Sequence, residues 1–191
     1  MNIDLPGFAD PVTQSQATFR ALLDAISRPG TLHEAGVGLD PPAPLDRATA
    51  AVLLTLIDGD SRLHIAPDCA AATDWLVFHC GTAPHGDMAT AGFVATRALP
   101  DLAALATGND EAPESSATLV LQVAALGTGP AWRLAGPGLK EAATFSATGL
   151  PEDFAARWAA NHALFPRGVD LVLCAGTTLA ALPRSISITE G

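Results

Sequence analysis

Apolar positions along this chain switch repeatedly between helical and strand spacing. Asp10-Pro11 reads as a helix start, with the acid as N-cap and proline at the first helical position. Val12, Phe19, Leu22, Leu23 and Ile26 then fall on one helical face and are expected to point inward. Pro29-Gly30 stops that helix. A Gly- and Pro-rich connection covers residues 36–44, after which Asp46 is placed to cap a second helix with Val52, Leu53, Leu56 and Ile57 inward. Leu63-His64-Ile65 and residues 93–96 alternate as short strands. Residues 70–78 and 101–107 read as further helices, the second closed by Gly108. Residues 109–116 are acidic, contain a proline and read as an exposed loop.

Residues 117–125 are rich in Leu and Val and read as a central strand. Residues 127–130 turn the chain into Trp132-Arg133-Leu134, expected to be its partner strand. Pro151 opens another helix with Phe154, Trp158 and His162 on one side. Val169 to Cys174 is an apolar run broken only by Asp170, as in a strand buried on both faces. Gly176 then punctuates a short loop before Leu179 to Leu182, which predicts a hairpin. Pro183 ends the second strand because it has no N–H for a ladder. Interleaved helices with hairpin-spaced strands predict a three-layer α/β/α domain over residues 1–191, built on a mixed sheet.

The composition narrows what such a domain can meet. Of 191 residues, 16% are charged and 49% hydrophobic, a low charge for a globular surface. Part of that surface is therefore expected to be covered by another chain, as in a homodimer. The formal net charge of −10 argues against nucleic acid and anionic membrane surfaces as partners. Cys69, Cys80 and Cys174 show no C-x-x-C spacing, so neither a disulfide framework nor a metal site is signalled. No apolar run is long enough to span a bilayer, and the N-terminus lacks the pattern of a secretory leader. A reduced, cytoplasmic setting is expected.

Candidate chemistry concentrates at turns. Arg167 and Arg184 each sit beside a proline, one entering the predicted hairpin and one leaving it. Hairpin geometry brings those ends together, so two guanidiniums can converge on a phosphate or carboxylate. The plainer account pairs Arg167 with Asp170. Arg28 stands at a helix C-terminus, as a ligand-binding arginine or as a cap that favours the dipole. Gly136-Pro137-Gly138 resembles an anion-cradling turn but lacks Walker spacing, and Pro137 removes one donor. Lys140, the one lysine, is where a Schiff base would have to form; exposed lysines are far commoner. His79 beside Cys80 is a conceivable nucleophile pair. Adjacent helical residues, however, point about 100° apart.

Several of these pieces recur together in a known family. They are Gly7-Phe8 with Asp10-Pro11-Val12, Phe19-Arg20, residues 27–30, Phe78-His79, residues 117–123, Arg133-Leu134 with residues 136–138, residues 165–170 and Leu182-Pro183-Arg184. In order and spacing the chain resembles the H subunit of the bacterial carbon–phosphorus lyase system. The resemblance implies a fold similar to pyridoxal-phosphate-dependent transferases, without the cofactor. It also implies a non-catalytic subunit of a core assembly that forms ribose 1-phosphonate 5-triphosphate ahead of carbon–phosphorus cleavage. The other core subunits are then the expected partners. Arg28, Arg167, Arg184, Gly136, Gly138 and His79 become expected contacts for phosphonate or nucleotide-derived phosphate groups. The competing expectation is an autonomous pyridoxal-phosphate-dependent transferase using Lys140.

Overall fold

Alternation along the central strands decides the layering. The computed structural model describes residues 4–191. Its main sheet has six strands: β1 (His33–Glu34), β2 (Leu63–Ile65), β3 (Phe93–Thr96), β4 (Thr118–Gln122), β7 (Asp170–Ala175) and β8 (Thr178–Leu182). Their spatial order is β1-β8-β7-β4-β3-β2. Strands β2, β3, β4 and β7 run parallel, while β8 is antiparallel to both β7 and β1. Val120, Val172 and Cys174 point into one core. Leu119, Leu121, Leu171 and Leu173 point into another on the opposite face. A strand buried on both sides carries no polar alternation, so these segments read as continuous apolar runs.

Helices α1 (Pro11–Ser27), α2 (Arg47–Leu56) and α3 (Thr73–Cys80) supply residues to the first core. The second core is closed by α4 (Phe154–His162) and by a second, three-stranded antiparallel sheet. That sheet consists of β5 (Ala125–Ala135), β6 (Ala143–Thr148) and β9 (Ser187–Glu190), in the order β6-β5-β9. The expected mixed α/β architecture is present, but one outer layer is part sheet. The residues around Trp132 also pair differently from expectation. β5 pairs with β6 and β9, with Trp132 opposite Phe145 and Glu190; its predicted partner β4 lies in the main sheet. Side-chain spacing marks a strand but leaves its partner open.

Three other expectations shift. Residues 67–72 form a 3-10 turn before α3, and 102–104 form only a single 3-10 turn. The carboxylate of Asp46 does not cap α2; it accepts instead from the Gly176 N–H at 2.9 Å, 130 residues away. The face of α1 is rotated as well: Thr18, Leu22 and Ala25 are buried, whereas Val12, Phe19, Leu23 and Ile26 are 68%, 46%, 50% and 42% exposed. Small residues at 18 and 25 allow close packing on the core, which leaves the bulkier stripe outside.

The hairpin forms as predicted, with Ala175 opposite Thr178 and Gly176 at φ +58° in the turn. Behind it, Trp158 is fully buried and its indole N–H donates to the Ile186 carbonyl at 2.7 Å. Trp158→Phe keeps most of the apolar volume but strands that carbonyl. A loss of about 1–3 kcal/mol is expected, to be measured by urea unfolding.

Candidate functional site

The arginines nominated from sequence are committed within the chain. Arg184 leaves the hairpin at Pro183 and turns back onto Asp170, the first residue of β7. Its backbone N–H donates to Asp170 Oδ1 at 2.8 Å and its Nε to the same oxygen at 3.1 Å. Its Nη2 bonds to Asp170 Oδ2, and its Nη1 donates to the Pro113 carbonyl at 2.7 Å. The side chains of Arg184 and Asp170 are 14% and 33% exposed. A two-pronged guanidinium–carboxylate contact of this kind holds geometry as well as charge. Asp170 therefore interrupts its apolar run because it is the anchor for Arg184.

Asp170 is thus the partner of Arg184, and the expected Arg167–Asp170 pair is absent. Arg167 is paired instead with Asp110, Nε to Oδ1 at 3.2 Å. The two hairpin-flanking arginines do reach one place, the 110–113 segment of the acidic loop, and what meets them there is the chain itself. Arg28 pairs with Asp24 one turn earlier at 3.0 Å, both side chains more than half exposed.

The Gly136-Pro137-Gly138 turn fits between two other segments. A Cβ on Gly138 would stand 2.4 Å from the Ser27 carbonyl oxygen, and one on Gly136 would stand 2.9 Å from that of Ser185. Gly136 and Gly138 both have positive φ, +141° and +87° respectively. Close backbone approach and left-handed conformation therefore demand glycine at both positions. The turn lies beside Arg28 and beside the backbone that follows Arg184, whose guanidinium is bound to Asp170.

His79 performs a separate task. Its Nε2 bonds to the Leu5 carbonyl at 3.0 Å, which also accepts from the Trp75 indole at 2.8 Å. A Cβ on Gly7 would meet His79 Nδ1 at 2.9 Å. His79 and Gly7 thus dock the N-terminal segment onto α3. Cys80 is buried, and its Sγ contacts the Leu53 carbonyl. Lys140 is exposed in the β5–β6 turn, where no enclosing wall desolvates it as a Schiff-base amine requires.

All three thiols are buried. Burial pushes Cys69 and Cys174 up to about 12 and Cys80 up to about 11. Neutral thiols are poor nucleophiles, so iodoacetamide at neutral pH should modify them only after denaturation, as read by intact mass. The unfolded chain loses these protons at lower pH than the folded one. Stability is therefore fully present below about pH 9 and declines as the pH rises toward 11–12.

The open feature of this face is the outward stripe of α1. Phe19, Leu23 and Ile26 line a groove of about 280 Å³ with Leu56, Phe93 and Pro183, and Asp170 reaches its wall. Large apolar side chains exposed together at a groove mark a binding surface. Sequence spacing found these residues but assigned them to the interior, because amphipathic periodicity does not distinguish a core from an interface.

The fold and its surface define a mixed α/β protein whose nominated arginines each pair with an acid of the same chain and whose helix α1 carries an exposed apolar face. The chain belongs to the family of bacterial phosphonate metabolism proteins, PhnH, whose model matches residues 6–189. It is 40% identical over 186 residues to alpha-D-ribose 1-methylphosphonate 5-triphosphate synthase subunit PhnH of Rhizobium meliloti (strain 1021), covering 95% of this chain and 93% of that one. It is 30% identical over 178 residues to the putative C-P lyase subunit protein HtxG of Stutzerimonas stutzeri, covering 92% and 86%.

Proposed function

We propose that this chain serves as a subunit of the assembly that forms alpha-D-ribose 1-methylphosphonate 5-triphosphate ahead of carbon–phosphorus cleavage. Two relatives named as subunits, matched along nearly their full lengths, support this reading. The observation that carries it is the exposed stripe of α1, Val12, Phe19, Leu23 and Ile26. A chain with 16% charged residues and such a face suits permanent association better than solitary catalysis. The other subunits of the assembly are its partners, and its role is non-catalytic. In isolation it forms a homodimer through α1, since one apolar stripe is self-complementary about a two-fold axis. Co-expression with the other subunits, then sizing and mass analysis, tests the subunit reading; a chain that never co-elutes with them overturns it.

We also infer kinship with the pyridoxal-phosphate-dependent transferase fold, without its cofactor. The mostly parallel sheet with both faces covered supports that kinship. The free, buried thiols suit a reducing cytoplasm. Of the nominated set, Arg167 has only an exposed partner, Asp110, and Arg28 with the Gly136–Gly138 turn is likewise open to a phosphate or phosphonate group. The Asp24 partner of Arg28 is solvent-exposed and one turn away, a weak tie that a phosphoryl group can replace.

A further inference from the structure

In open sheets of parallel strands, ligands settle in the crevice beyond the carboxyl ends. Here a cavity of about 310 Å³ lies at that edge, lined by Asp46, Arg97, Gln122, Val123, Ala124 and Gly149. Arg97 directly follows β3, Gln122 is the last residue of β4, and Asp46 precedes α2.

The rim is held by hydrogen bonds that, among the described residues, leave the Arg97 guanidinium and Asp46 Oδ1 without a partner. Gln122, 6% exposed, accepts from the Asp46 backbone N–H at 2.7 Å through Oε1 and donates to the Pro44 carbonyl at 2.8 Å. The Asp46 carboxylate is oriented by the Gly176 N–H on Oδ2. The Arg97 backbone N–H is bound to Asp68 Oδ2 at 2.9 Å, while its side chain is exposed. Among the described residues, the four ion pairs are Arg28–Asp24, Arg157–Asp153, Arg167–Asp110 and Arg184–Asp170. Neither Arg97 nor Asp46 belongs to one. Arg47, at the start of α2, lines an adjoining open cleft with Asp46 and makes none either.

Asp46 and Arg97 therefore line one small cavity with no ion pair between them. We propose that this cavity binds a small amphoteric molecule, an amine joined by a short chain to an oxyanion. The Arg97 fork takes the oxyanion and the Asp46 carboxylate takes the ammonium. Each charged end is selected by a group already in place, so a ligand with one end alone forfeits half of the recognition. The oxyanion can be a phosphonate or a carboxylate, since a guanidinium suits both. None of its lining residues belongs to α1.

Calorimetric titration of the full-length chain tests the assignment with aminoethylphosphonate, β-alanine, methylphosphonate and ethylamine as probes. Saturable one-to-one binding is expected for at least one amphoteric probe. The matching single-ended probe should bind at least about tenfold more weakly. Preference between aminoethylphosphonate and β-alanine identifies the oxyanion. Arg97→Gln, which alters only an exposed side chain, should weaken the amphoteric probe about tenfold or more with an unchanged melting temperature. Asp46→Asn retains an oxygen for Gly176 and should weaken it similarly. Absence of binding by both amphoteric probes overturns the proposal. Full binding by Arg97→Gln, or equal affinity for methylphosphonate and aminoethylphosphonate, does so too.

Discussion

On the proposed α1 dimer, Phe19→Asp combined with Leu23→Glu should shift the isolated protein to monomer. Both side chains are about half exposed, and both stand on the outer stripe of α1 beside a groove that is apolar apart from Asp170 and Thr118. In a two-fold interface each substitution appears twice, so four unpaired charges would be pressed into apolar contact. Desolvating charges without partners is far costlier than the apolar area they replace. An increase in the dimer dissociation constant on the order of a hundredfold or more is expected. Folding should be nearly unaffected, because the buried residues of α1 are Thr18, Leu22 and Ala25. Light scattering across a concentration series, with a melting curve as control, gives the answer. A dimer that persists in the double variant would locate the interface elsewhere, and a wild-type chain already monomeric at micromolar concentration would remove the dimer.

The second large effect belongs to Arg184. Arg184→Ala removes every side-chain bond to Asp170 and the anchor to Pro113, leaving a partly buried carboxylate with a single backbone donor. Breaking a fully buried pair costs about 3–5 kcal/mol. With Asp170 one-third exposed, water recovers part of that, and about 2–3 kcal/mol is expected. Arg167→Ala is the control. Its partner Asp110 is 84% exposed, so a change below about 1 kcal/mol is expected. Urea unfolding of both variants separates the two arginines; equal losses would contradict the roles assigned to them.

The same two residues show how far sequence reading reaches. Val169 to Cys174, Gly176 and Pro183 announce a buried strand, a turn and an end, all from local chemistry. Proximity of Arg167 and Arg184 follows from the hairpin alone. That Arg167 meets Asp110, and that Arg184 also reaches the Pro113 carbonyl, does not follow, because both arrive from a loop more than 50 residues earlier and no local pattern encodes that docking. Asp46 presents the same limit. As a residue before a helix it reads as a cap, yet its carboxylate is claimed by Gly176 from the far side of the chain. The Arg97–Asp46 cavity was illegible for this reason: Arg97 and Gln122 come from the ends of separate parallel strands and Asp46 from the loop before α2, and they carry no shared spacing.

What the amino-acid order determined by itself is therefore the set of elements, the mixed α/β class, and the family, because these rest on local periodicity, turn chemistry and ordered motifs. The tertiary structure alone decided which apolar stripe lies inside. Thr18, Leu22 and Ala25 face the core because small side chains let α1 approach closely, and Phe19, Leu23 and Ile26 are left exposed. It also decided that β5 joins β6 and β9 in a second sheet. Strand pairing depends on which edges meet when layers close over a core, a property of the whole chain that no segment carries within itself.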